Sequence, residues 1–107
     1  MANGRQFSFS APLWQHDNGP VHFCSVPEQV SDVIDDLSQG RSHGFGSVPV
    51  EVTVGTSTWQ TSLFPSIELA TYVLPMKKAV RTKEQLETGE EVVLTLTLRE
   101  VWSADSS

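Results

Sequence analysis

Lys77 and Arg81 stand four residues apart in a stretch that reads as a short helix, so both cations fall on one helical face and could hold a phosphate or a carboxylate. A solvated face accounts for the same spacing, and cations are also favoured towards a helix C-terminus. Ser62 and Phe64 alternate away from Trp59 on a strand, and Tyr72 offers an aromatic body with a polar tip. Brought together by the fold, Lys77, Arg81, Ser62, Phe64 and Tyr72 would line a shallow polar and aromatic recess suited to a small anion or a peptide end. Gly44-Phe45-Gly46 could bring backbone N–H groups to such a ligand, although a single Gly-x-Gly more commonly marks a turn.

Other chemistry finds less support. His16, His22 and His43 are far apart and Cys24 is the single cysteine, so no ligand pair has the spacing of a common metal site. His22 and Cys24 would share a strand face, which packing explains as well as ligation does. Many serines, three histidines and several Asp are present, yet no nucleophile-elbow sequence appears. Catalysis would require Tyr72, His43 or a carboxylate to be positioned by the fold as a general acid or base. Cys24 in a strand reads as a small buried hydrophobe, since no neighbouring base or cation is visible to lower its pKa. Glu28, Asp32, Asp35 and Asp36 read as the solvated face of a helix. No catalytic residue, metal or cofactor is expected.

These groups must be held by a chain of 107 residues, enough for one core and one domain. With 38% hydrophobic and 19% charged residues it has the apolar matter to fold. A net charge of −6 repels a polyanion at long range, which makes nucleic acid an unlikely partner. The charges segregate, with the four acids of residues 28–36 set against Lys77, Lys78, Arg81 and Lys83. The N-terminus carries no apolar run of the secretory type and no stretch is long enough to span a bilayer, so a cytoplasmic protein without membrane contact is expected.

Hydrophobic periodicity lays out the elements. Phe7, Phe9, Ala11 and Leu13 alternate with polar neighbours as a half-buried strand, and Pro12 suggests an edge or a strand end. A short strand over 21–24 precedes Ser25-Val26-Pro27-Glu28, a helix start with either a capping box or Pro in the first turn. Val26, Val30, Val33, Ile34 and Leu37 then form one apolar stripe, and Gly40 is a plausible stop. Val48, Val50, Val52 and Val54 make the clearest strand, and Gly55-Thr56-Ser57 turns it into a second through Trp59, Thr61 and Leu63. A strand over 69–74 leads through Pro75 into a short helix with Met76, Ala79 and Val80 on one side. Beyond Thr88-Gly89-Glu90, Val92, Leu94, Leu96 and Leu98 line the last strand. An ordered core of about 5–102 and a frayed tail over 103–107 follow. Each half contains a strand, a hydrophobic-Pro step (Val26-Pro27, then Leu74-Pro75), a helix, a glycine turn and a long alternating strand, which predicts an internal duplication about a pseudo-twofold axis.

Gly44-Phe45-Gly46-Ser47-Val48-Pro49-Val50, Trp59-Gln60-Thr61-Ser62-Leu63-Phe64-Pro65, and the run from Tyr72-Val73-Leu74-Pro75 to Arg81 together resemble, in order and spacing, the bacterial family named Domain of Unknown Function 1905. The likeness covers Phe7 to Leu98. It implies a mainly β fold, a small closed double-split β-barrel capped by two short α-helices, related to swapped-hairpin DNA-binding regulators. It implies no particular activity. Leu74-Pro75, Arg81 and Gly89-Glu90 running into Val92 are also similar to those regulators directly. The regulators build one barrel from two short chains, whereas this chain carries both half-units, so monomer and homodimer both remain open. Fold kinship does not transfer DNA binding.

The expected function is therefore a non-enzymatic binding module for a small anionic ligand or peptide. A nucleic-acid-binding regulator and an enzyme acting on a small anionic metabolite are the alternatives.

Overall fold

Strict alternation of apolar and polar residues makes a strand with one dry face, and several such strands bury those faces together by closing on themselves. The computed structural model describes residues 6–17, 19–38 and 46–99. Along the chain lie β1 (Gln6–Gln15), β2 (His22–Ser25), α1 (Glu28–Ser38), β3 (Val48–Val54), β4 (Ser57–Ser66), β5 (Thr71–Pro75), α2 (Lys78–Lys83) and β6 (Glu91–Leu98). The six strands form a closed antiparallel barrel in the order β1-β2-β5-β4-β3-β6. Val48, Val50, Val52, Leu63, Leu74, Leu94 and Leu96 are fully buried inside it. Each such side chain contributes about 1.5–3 kcal/mol relative to an exposed position. Among the described residues, no helix is long and apolar enough to cross a membrane.

β1 and β4 each serve two walls. β1 pairs with β6 from Gln6 to Pro12 and with β2 from Leu13 to Gln15. β4 pairs with β3 from Ser57 to Leu63 and with β5 from Phe64 to Ser66. These are the two splits of the barrel. Pro12 is thus not on an edge: it stands where β1 changes partner, and the ladder resumes when the Leu13 N–H donates to the Glu90 carbonyl at 2.9 Å.

The strand order is unchanged when β1, β2 and β3 are exchanged with β4, β5 and β6, which is what a pseudo-twofold axis requires. The ladder between β2 and β5 fixes the equivalences. Val26 N–H donates to the Tyr72 carbonyl and Met76 N–H donates to the His22 carbonyl, both at 2.9 Å, on either side of the Cys24 and Leu74 pair. Val26 therefore stands to Met76 as His22 stands to Tyr72. The equivalent of Val26-Pro27 is Met76-Lys77, two residues beyond the Leu74-Pro75 step that the sequence offers. Because β2 and β5 run antiparallel, the helices that follow them leave at opposite ends of the barrel.

Three other local expectations change. The stripe of α1 is only partly buried: Ile34 is fully buried and Val30 half-buried, while Val33 is 45% and Leu37 39% exposed. Ser31 is buried in its place, because its hydroxyl accepts the Tyr72 N–H at 3.3 Å. Ser25 forms no capping box; it lies in β2 and its hydroxyl accepts the Trp14 indole N–H at 2.9 Å, leaving Pro27 to precede the helix. Ala79 is exposed, and α2 is anchored by Met76 and Val80. Gly40, His43, Gly44, Phe45 and the tail over 103–107 lie outside the described residues.

Candidate functional site at the second helix

Pro75 ends β5 by supplying no N–H, and Met76, 2% exposed, then carries the chain inward. Val80 follows one helical turn later at 5% exposure. With these two positions pointing in, Lys77 and Lys78 are left in solvent and Arg81 half-buried. The Arg81 Nε–H donates to the Met76 carbonyl at 2.9 Å, which fixes the guanidinium against the start of its own helix. Beneath lies a cleft of about 340 Å³ between α2, residues 20–22 and the outer part of β4, with Lys77, Lys78, Arg81, Trp59 and His22 in its lining. Among the described residues, no Asp or Glu lines it. Among the described residues, no carboxylate pairs with any of the three cations.

Of the five residues that the sequence brings forward, Lys77 and Arg81 share this cleft. Ser62 is half-buried on β4, and Phe64 is 44% exposed; neither is in the cleft lining. Tyr72 belongs to the opposite end of the molecule. It is 7% exposed, and its hydroxyl donates to Asp35 Oδ1 at 3.2 Å. It lines a smaller recess of about 220 Å³ with Ser31, Asp32 and Asp35. The pseudo-twofold axis relates the two openings, since Tyr72 is the image of His22 and Ser31 that of Arg81. One end thus carries Asp32 and Asp35 where the other carries Lys77, Lys78 and Arg81, a charge inversion across a nearly symmetric fold.

Trp59, Lys78 and His22 enter the cleft without having been singled out for it. Trp59 shares its strand face with Thr61 and Leu63, and it packs against the core while also lining the opening. An aromatic too large for complete burial was the available signal.

Glu84 is a second omission. It caps the C-terminus of α2, and its Oε2 accepts the hydroxyls of Ser57 at 2.7 Å and Thr56 at 3.0 Å, tying the tip of the β3–β4 hairpin to the helix. The Ser57 hydrogen bond, with smaller help from Thr56 and Lys83, holds the Glu84 carboxyl below its ordinary value. A helix of six residues without a side-chain N-cap bond has little stability of its own, so this tie matters to where the cations sit. No local pattern announces a contact between residues this distant in the chain.

Cys24 is fully buried opposite Leu74. Burial, with a smaller contribution from the Glu91 charge, pushes its thiol up to about 12. Because the thiolate is the nucleophile, reaction with a small disulfide reagent at neutral pH should run at least about a hundredfold slower than for free cysteine, limited by opening of the fold. Rapid labelling without denaturant would show that β2 does not hold Cys24 inside. Among the described residues, no group of three His, Cys, Asp or Glu side chains is placed to hold a metal ion.

Fold and site together define a small helix-capped β-barrel whose interior is filled by side chains, so any ligand must meet its outer surface. The chain belongs to the family described as Domain of unknown function (DUF1905), whose model matches residues 9–96. No curated protein matches it.

Proposed function

We propose that the protein is a non-enzymatic binding module that takes a small anion, or the carboxylate end of a peptide, in the cleft at α2. The observation that carries this reading is the grouping of Lys77, Lys78 and a backbone-anchored Arg81 around one opening with no acid among its described lining residues. A guanidinium held by one N–H keeps its remaining donors for a ligand, and less side-chain entropy is lost when it binds. Trp59 gives the cleft an apolar wall for whatever carries the negative group.

Nucleic acid ranks second. The cations sit on one short helix of a chain with net charge −6, which leaves few phosphates within reach. Enzymatic turnover ranks third, because Tyr72, a candidate acid or base, is committed to Asp35 at the other end of the barrel.

Inorganic phosphate, compared with chloride at matched ionic strength, should raise the melting temperature of the wild-type protein. At a hundredfold excess over Kd this corresponds to about 2.7 kcal/mol. Arg81→Ala should fold and lose most of that gain, with Lys77→Ala intermediate. Equal stabilisation of Arg81→Ala and wild type by phosphate would remove the site. A low-salt gel shift with duplex DNA at micromolar protein would instead promote the second reading.

A further inference from the structure

The outer face of the walls formed by β1, β2, β5 and β4 holds a groove that shares no described residue with the α2 cleft. On β1 and β2 the inward positions are taken by Ala11, Leu13 and Cys24, so Trp14 and Phe23 are forced outward, directly across the ladder from each other. Their ring centroids are 5.1 Å apart. His16 adds a third ring, 6.4 Å from each. The rings pack on one another and form a wall, not a cage. Trp14 is fixed in place by its hydrogen bond to Ser25, which satisfies the indole N–H and leaves the ring to offer only its π system. Val73, 7% exposed, and Leu69, 46% exposed, add apolar surface to the same lining. The volume is about 580 Å³, within the usual range for small-molecule sites.

Among the described residues, the Asp, Glu, Lys and Arg side chains lining the groove are all of one sign. Asp17 and Glu68 stand in its lining, with no Lys or Arg among the described lining residues. Asp17 Oδ2 lies 3.4 Å from His16 Nε2, which places the carboxylate beside the aromatic wall. Aromatic faces present negative electrostatic potential to a cation, most strongly for Trp, and a cation with an apolar body profits from both the rings and the apolar surface of Val73 and Leu69. A small anion would meet two carboxylates. A hard metal ion would have to give up much of its hydration for only two carboxylate ligands.

We propose that this groove is a binding site for a small organic cation of the quaternary ammonium type, whose methylated head rests against Trp14 and Phe23 while Asp17 and Glu68 supply the counter-charge. The site is independent of the anion cleft, and neither requires the other.

Choline is a suitable probe, and 3,3-dimethylbutan-1-ol is its uncharged counterpart of nearly the same shape. In NMR titrations of the full chain, choline should shift the Trp14 indole N–H signal saturably in the millimolar range. The neutral alcohol should bind at least roughly fivefold more weakly, as expected for a cation on aromatic rings. Glu68→Gln and Asp17→Asn alter exposed side chains and should each weaken choline by roughly threefold or more without changing the fold. Asn is the chosen replacement at Asp17 because the backbone there is left-handed, with φ +48°, which Asn tolerates. Equal binding of the neutral alcohol, unchanged affinity in both carboxylate variants, or no shift at Trp14 would each overturn the proposal. Loss of phosphate stabilisation in Arg81→Ala is read on the other site and leaves this outcome unaffected.

Discussion

Leu63→Ala should remove about 2–5 kcal/mol of stability, and Leu13→Ala should remove the same amount to within about 1 kcal/mol. The two leucines are pseudo-twofold mates. Leu63 is the last residue of β4 to pair with β3, Leu13 is the first of β1 to pair with β2, and they are 0% and 1% exposed. Each truncation leaves a void in a closed barrel, where neighbouring side chains are held by the ladder and can collapse only partly. For a domain with about 5–15 kcal/mol in total, the double variant should be largely unfolded. Urea unfolding with unchanged m-values would measure this. Phe64→Ala, one residue further on and 44% exposed, is the internal control and should cost about 1 kcal/mol or less. If Phe64→Ala proved as damaging as Leu63→Ala, the inward register of β4 would be wrong, and with it the direction in which every residue of that strand points.

The same parity argument explains what the sequence could and could not disclose. Val48, Val50, Val52 and Val54, and then Val92, Leu94, Leu96 and Leu98, alternate without interruption, and all eight are buried. Period-two alternation is a local property of one strand, and it survives into the fold because each of those strands has one wet side and one dry side. Helix burial was less legible. Val33 and Leu37 fit the stripe of α1 by spacing, yet Ser31 takes an inner position because a backbone N–H of β5 needs an acceptor there. That demand belongs to another element and leaves no trace in the helix itself.

The candidate site was divided for a related reason. Ser62, Phe64, Tyr72, Lys77 and Arg81 lie close together in the chain, but α1, which packs against β5, takes Tyr72 to its own end of the barrel. The aromatic groove was missed in the opposite sense. Trp14 and Phe23 occupy outward parity positions, a visible signal that two large rings were destined for the surface. What could not be read was that β5 and β4 would follow β2 around the ring and bring Val73 and Leu69 into the same groove, because strand order is a property of the whole chain.

Gly55→Ala should destabilise the protein through two separable effects, and the second bears on function. Gly55 begins the β3–β4 turn at φ +58°, a conformation that costs an alanine about 1–2 kcal/mol. A Cβ at that position would also collide with the Glu84 carboxylate, which receives the Ser57 and Thr56 hydroxyls from the same hairpin tip. The carboxylate, at the end of a flexible side chain, would have to shift, which strains or breaks its tie to the hairpin and loosens the hold on the helix that carries Lys77 and Arg81. Weaker phosphate stabilisation should therefore accompany the lower melting temperature. Combining Gly55→Ala with Glu84→Ala should cost less than the sum of the single changes, since the collision is removed and the tie that both changes disturb is lost only once. Acid titration gives a second reading of the same contact. Because the Glu84 carboxyl titrates lower in the folded than in the unfolded chain, its contribution is complete above its ordinary value of 4.5 and is lost as the pH falls through the lower folded value. Glu84→Gln should lack that part of the acid-induced loss. Strict additivity in the double variant, together with an unchanged acid limb in Glu84→Gln, would mean that the hairpin tip is held by the barrel alone and that the cation-bearing helix does not depend on it.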